Sequence, residues 1–201
     1  MRRQARKSKR LNIMGNIAIL CEGSTEEFYL KDLLKELKKV DIYSLEGGGY
    51  KPMEYSLSQY KDRYEVLLLV CDLDRANNNA GEMIQLNKLI RSLQNINVKN
   101  NIFLTFKNIE YWFSCCIGNN AIDASITIVP GYRKGSDAFK FLKRNGATYD
   151  QGKALLKNQD ISSYYFYKVN PNIKASPKRE NVGVFQSTLW YLLDYIKLLQ
   201  S

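Results

Sequence analysis

The stretch IAILCEGSTEEFYL, residues 17–30, decides the fold. An apolar run in the segment GNIAILC (15–21) reads as a short buried strand and stops abruptly at Glu22-Gly23. Gly23 permits a sharp turn, and Ser24 or Thr25 can cap a helix that starts there. Phe28, Tyr29, Leu30, Leu33, Leu34 and Leu37 recur at helical spacing, which predicts a helix over 24–39. The stretch is therefore a strand, a tight turn and a helix, with a carboxylate at the exposed end of the strand.

Working outward, the alternation of strand and helix repeats. DIYSLE (41–46) alternates like a strand, GGGY is a loop, and 51–62 is a candidate helix. YEVLLLVC (64–71) is a continuous apolar strand that ends in Asp72-Leu73-Asp74. NNNAG is a turn, residues 80–95 form a helical pattern, and NIFLTF (101–106) is a further strand. This βα order predicts an α/β protein, a Rossmann-like parallel sheet of about four strands flanked by helices. Past the helix at 108–117, with Tyr111, Trp112 and Phe113, the pattern changes. Two short helices within 130–157, a loop containing Pro171 and Pro177, and an amphipathic helix over 182–200 follow. The expected organisation is a basic flexible arm (1–14), an α/β core (15–117) and a helical C-terminal extension packed on it (118–201).

Composition narrows the chemistry. The chain has 201 residues, 45% apolar, enough for one domain with a core. It lacks an apolar run long enough to cross a bilayer, and its basic start is not followed by a signal-type apolar segment. The expected location is the cytoplasm. The four cysteines (Cys21, Cys71, Cys115, Cys116) contain no CxxC and read as buried reduced thiols. With no histidine, His-based acid–base catalysis, a Ser-His-Asp triad and mixed Cys/His zinc sites are all excluded. Acid–base work falls to carboxylates or lysines. The charge is uneven: Arg2, Arg3, Arg6, Lys7, Lys9 and Arg10 supply over half of the net +10. Such an arm suits phosphate backbones or simple solubilisation.

In open parallel sheets, sites form at the carboxyl ends of the strands. Glu22 follows the first strand, and Asp72 and Asp74 follow the third. Residues two apart in extended chain point the same way, about 6–7 Å apart. Two carboxylates so placed can share a divalent cation, and oxygen donors suit Mg²⁺ or Mn²⁺. If the two strands are neighbours, Glu22 faces that pair across a gap that could hold a phosphodiester. An acid after a strand also serves as a cap, so the reading rests on their co-occurrence at two strand ends.

ILCEGSTEEFYL followed by LLLVCDLD resembles the Toprim domain, which pairs a strand-end Glu-Gly with a later Asp-x-Asp. More narrowly, Cys21-Glu22-Gly23 with Thr25-Glu26 and Tyr29 is similar to the RloB-like, AbiLii-type family. NIEYWFSCC (108–116), PGYRKGSDAF (130–139) and the late ENVGVFQSTLWYLLDYI agree with its order of features. Two places depart from the pattern: Ile109 stands where an aromatic is usual, and Asn181-Val182 lacks the late proline. The resemblance implies that Glu22 is the general acid/base and that Asp72 and Asp74 bind metal. Glu26, one helical turn beyond Glu22, is either an extra ligand or part of a favourable helix N-terminus. Glu110 either completes the acidic cluster or is a surface acid beside Trp112. Arg133 and Lys134, between glycines, and Lys178 and Arg179, after Pro177, are candidate nucleic-acid-binding cations. The implied activity is Mg²⁺-dependent hydrolysis of DNA or RNA phosphodiesters, in phage defence or a mobile element. The alternatives are a non-catalytic Toprim-like subunit that binds nucleic acid or a partner, and a ribonuclease-M5-like RNA maturase. No P-loop GxxxxGK[ST] occurs, so any ATP use would come from a partner ATPase.

Overall fold

The computed structural model describes residues 17–105, 108–117, 140, 146, 148–156 and 189–200. Four strands form one parallel sheet in the order β2-β1-β3-β4. They are β1 (Ile17–Cys21), β2 (Val40–Ser44), β3 (Val66–Asp72) and β4 (Lys99–Thr105). Between them run α1 (Ser24–Leu33), α2 (Tyr50–Tyr60), the short α3 (Asp74–Asn78) and α4 (Ala80–Gln94). After the sheet come α5 (Ile109–Ile117), α6 (Tyr149–Leu156), a 3₁₀ turn (Leu189–Tyr191) and α7 (Leu192–Gln200). The α/β architecture expected from the alternation is what forms.

The inner strands are apolar on both sides because helices cover both sides. Ile17, Ile19, Cys21, Val66, Leu68 and Val70 pack against α1, α5 and α7. Ala18, Leu20, Leu67, Leu69 and Cys71 pack against α2 and α4. Tyr29 of α1 meets Trp112 of α5, whose indole N–H donates to the Tyr29 hydroxyl at 2.8 Å. Trp112 also packs edge-on to Tyr149 of α6, and Leu189, Leu192 and Ile196 join the same core. The described parts of the C-terminal segment thus cover one face of the sheet. No helix among the described residues is long and apolar enough to cross a membrane.

Several sequence expectations shift. α1 ends at Leu33 rather than running to residue 39. Leu34 and Leu37 keep the apolar pattern through a turn, and Lys39, at φ 58°, reverses the chain into β2. The N-cap of α1 is Gly23, so Ser24 and Thr25 stand inside the helix rather than capping it. NNNAG is not one turn: α3 reaches Asn78, and the Asn79 side chain caps α4 by accepting from the Gly81 and Glu82 N–H groups. Residues 182–188 of the expected final helix lie outside the described residues; from Leu189 the chain is 3₁₀, then α7.

Candidate functional site

The strand order dictates where a cleft opens. From β1 the chain crosses to β2 on one side, and later to β3 on the other. The connections leave β1 and β3 in opposite directions, so their carboxyl ends are left open between them. β1 and β3 are hydrogen-bonded neighbours, with Cys21 level with Val70. This meets the condition set by the sequence: Glu22 leaves β1 beside Cys71 and Asp72. A cleft of ≈ 600 Å³ lies there, lined by Glu22, Glu26, Glu46, Asp72, Asp74 and Glu110, with Arg75 and Asn108. Every candidate acid is brought to it. Arg133, Lys134, Lys178 and Arg179 lie outside the described residues.

The acids do not group as the sequence pattern implied. Extended chain would have aimed Asp72 and Asp74 the same way. β3 instead ends at Asp72, Leu73 is helical (φ −95°, ψ −5°), and Asp74 opens α3. The buried Leu73 is held there by its N–H, which donates to the Thr105 carbonyl at 3.1 Å. Strand alternation then sends Asp72 to the α1 side, opposite to Cys71. Its strongest charge neighbour is Glu26, whereas Glu22 feels Arg75 and then Asp74. The acids therefore lean to two sides of the cleft, Glu26, Asp72 and Glu110 forming one half and Glu22, Asp74 and Arg75 the other, with Glu22 also repelling Glu26 across it.

Each half is built by its backbone. The Asp72 carboxylate accepts from the Thr105 hydroxyl, directly opposite it in the β3–β4 register. The Tyr50 hydroxyl donates to the Asp72 carbonyl at 2.6 Å, pinning the strand end from α2. Glu26 is 4% exposed, and its Oε2 accepts from the Gly23 N–H at 3.1 Å. That closes the first turn of α1 from the side-chain end, half of a capping box. Glu26 is thus a helix latch and a cleft acid at once. On α5, Asn108 accepts from the Tyr111 N–H and starts the helix that carries Glu110.

Glu22 sits on a tight loop. Its carbonyl accepts from the Gly47 N–H at 2.8 Å. Residues 46–49, Glu-Gly-Gly-Gly, all have positive φ. Gly49 lies close under Arg75; a Cβ there would stand 3.0 Å from Nη1. Arg75 Nη2 lies 3.8 Å from Glu22 Oε1. Sequence reading missed Arg75, Glu46, Asn108 and Thr105. The triple glycine was the available signal, because three residues without side chains allow another chain to lie close.

Enclosure perturbs the carboxyls. Burial raises Glu26 from 4.5 to about 7, with Glu22 and Glu110 adding repulsion. Burial, then Glu26, raises Asp72 well above the usual carboxylate range, against the opposing pull of the Thr105 hydroxyl. Glu22 is also raised by burial, while Arg75 pulls it back down. Clustered perturbed acids in a cleft mark a site where charge is expected from outside. The donors are all carboxylate oxygens, which match a hard divalent cation in kind. Among the described residues, no group of three or more Cys, Asp or Glu is arranged to hold a metal ion.

Cys21 and Cys71 flank the acids but face the two cores, where burial raises both thiols. All four cysteines are free and buried, as the sequence implied.

Fold and site together define a class: a parallel α/β protein with an acidic cleft at its crossover point. Comparison with models of known families, with curated proteins and with solved structures gives no match.

Proposed function

We propose that the protein is a Mg²⁺- or Mn²⁺-dependent nuclease of the Toprim type, hydrolysing phosphodiesters of DNA or RNA. One observation carries the reading: Glu22 and Asp72, fifty residues apart, meet at the carboxyl ends of neighbouring strands, within one cleft. The sequence resemblance to RloB-like proteins supports it. Asp72, with Glu26 and Glu110 beside it, would hold the cation, and Asp74, on the Glu22 side of the cleft, would add to the negative field. When bound, the cation neutralises phosphate charge. Glu22 moves the proton, and its carboxyl, raised by burial, holds one more readily than a free glutamate does. Arg75, beside Glu22, adds a positive charge where the phosphate oxygens gain negative charge. The same reading puts the protein in the cytoplasm, with nucleic acid as its partner and any ATP use supplied by a separate ATPase.

The test is a cleavage assay of the full chain on single-stranded, duplex and structured DNA and RNA, with Mg²⁺, Mn²⁺ or EDTA. Metal-dependent cutting that Glu22→Gln and Asp72→Asn both remove supports the nuclease. Activity in EDTA, or an Asp72→Asn protein as active as wild type, overturns it. A chain that cuts no substrate in the panel favours a binding subunit.

A further inference from the structure

The opposite end of the sheet carries the opposite charge. A second cleft, of ≈ 570 Å³, lies across the strand starts. Ile17, Val66 and Lys99, the first residues of β1, β3 and β4, line it together with Lys38 and Lys39. Lys38, Lys39 and Lys99 are exposed, and among the described residues none of the three forms an ion pair. Among the described residues, Glu65 is the one acid lining this cleft.

The lysines come from a fixed frame rather than from loose surface. The Lys39 carbonyl accepts from the Ile17 N–H, and the Lys99 N–H donates to the Glu65 carbonyl. The Gln200 side chain, on the last turn of α7, donates to the Lys38 carbonyl at 2.7 Å. Lys39 is held at φ 58°, a region that few residues other than glycine occupy. An uncommon backbone conformation kept by neighbours on both sides points toward a use for the side chains it aims. The chain also enters here: Ile17 lines the cleft, and residues 1–10 upstream of it carry six bases and no acid.

We infer that this amino-end cleft is a docking site for the phosphate backbone of a nucleic acid, gripped by Lys38, Lys39 and Lys99. Lysines act on phosphate as point charges without reading bases, so the contact is independent of sequence. Nucleic acid is favoured over a lipid surface because, among the described residues, those lining the cleft include no exposed large apolar side chain, and the exposed Leu198 beside it is a single one. Strands of five to seven residues separate the two ends by roughly 17–23 Å. That is about five to seven base-pair steps along a duplex. If the carboxyl-end cleft cuts, a substrate must exceed this length to touch both ends. That length requirement rests on the nuclease reading; the binding itself does not.

The experiment measures binding of the full chain to a labelled duplex of about 30 base pairs in EDTA, across a salt series. Wild type should bind with a steep salt dependence. Lys38→Gln/Lys39→Gln/Lys99→Gln should weaken binding at least tenfold and reduce the log–log salt slope by about 3. Lys38→Gln/Lys99→Gln, which leaves the strained position alone, should reduce it by about 2. Lys51→Gln/Lys88→Gln, exposed lysines of α2 and α4 outside the cleft, should change neither. An unchanged slope in both cleft variants overturns the inference, as does a wild type that binds anionic vesicles but no nucleic acid. Cleavage plays no part in this readout, so loss of the nuclease reading leaves it standing.

Discussion

The two ends of the sheet are built by the same rule and differ in what the rule explains. In a parallel sheet the connecting helices start at the carboxyl ends of strands and finish near the amino ends. Helix N-termini carry partial positive charge and C-termini partial negative charge, so acids at one end and bases at the other stabilise the helices. Glu26, Asp74, Glu82 and Glu110 sit in first turns; Lys31, Arg91 and Lys197 sit in last turns. Much of the polarity therefore needs no function. The residues left over are informative. Glu22 and Asp72 belong to strand ends, and Lys38, Lys39 and Lys99 lie outside the helices. The two ends differ also in enclosure: the acids are drawn into the protein, whereas the lysines stand in water.

The sharpest way to break this comparison is to separate strand-end acids from helix acids. Glu22→Gln and Asp72→Asn should each lower cleavage by roughly 10²–10⁴-fold, the range for loss of an acid–base or charge-stabilising group. Asp72→Asn should leave the melting temperature at pH 8 unchanged or raised, because it removes a charge that burial and Glu26 already disfavour. Glu82→Gln, a first-turn acid outside the cleft that repels Glu22 only weakly, should lose only ~0.3–1 kcal/mol of stability and little activity. Calorimetry and initial rates on the same preparations check all three. Activity lost equally in Glu82→Gln would mean that the acidic end acts through helix stability alone.

A second prediction uses the enclosure. The Glu26 carboxyl is raised from 4.5 to about 7, so the folded chain holds a proton that the unfolded chain has lost. Its contribution to stability is full below about 4.5, is lost as pH rises to about 7, and is flat above that. Metal-free protein should therefore lose on the order of 3 kcal/mol across that window, read by chemical denaturation at several pH values. Glu26→Gln should remove that part of the slope and leave what Asp72 and Glu22 contribute. Mg²⁺ or Mn²⁺ should restore stability at pH 8 by ~3 kcal/mol at a hundredfold excess over Kd. At pH 5, with the Glu26 carboxyl protonated, the same metal should do less.

How much of this could be read from residues follows the same division. Continuous apolar runs marked β1 and β3, since strands covered on both sides have no polar face to blur. Glu22 and Asp72 were legible because a charge directly after such a run is conspicuous. The Asp72–Asp74 pairing was misread because period-two geometry holds only while the chain stays extended. Nothing in Asp-Leu-Asp announces that Leu73 turns helical; a tertiary bond from its N–H to Thr105 on β4 decides it. Arg75 was invisible for a related reason. Its role comes from lying over a glycine loop 26 residues upstream, a contact that no local pattern records. Lys38 and Lys39 fall at the end of the helix expected over 24–39, and the reversal at Lys39 is what brings them to the strand starts.

Arg75 offers a finer test of the Glu22 half. It is the nearest positive charge that pulls the Glu22 carboxyl down against burial. Arg75→Gln should move the acid limb of the pH–rate profile to higher pH. Asp74→Asn should move it to lower pH, because Asp74 pushes the same carboxyl up. Opposite shifts from adjacent residues would tie the limb to Glu22. Parallel shifts, or none, would assign it to another group.

The smallest expected effect separates backbone strain from position within the glycine loop. Gly49 has φ 71° and ψ −151°, a region nearly reserved for glycine, and a Cβ there would come within 3.0 Å of Arg75 Nη1. Gly47 has φ 83° with open space around its Cβ direction. Alanine at either place should cost roughly 1–3 kcal/mol of backbone strain. For a chain of this size that is a fall of about 2–12 °C in Tm. Only Gly49→Ala also displaces the guanidinium from Glu22, so only it should carry the upward shift of the acid limb seen in Arg75→Gln. The two alanine variants thus share a stability loss and divide on the pH profile. If both shift the limb alike, the loop acts on Glu22 through the Gly47 N–H bond to its carbonyl rather than through Arg75.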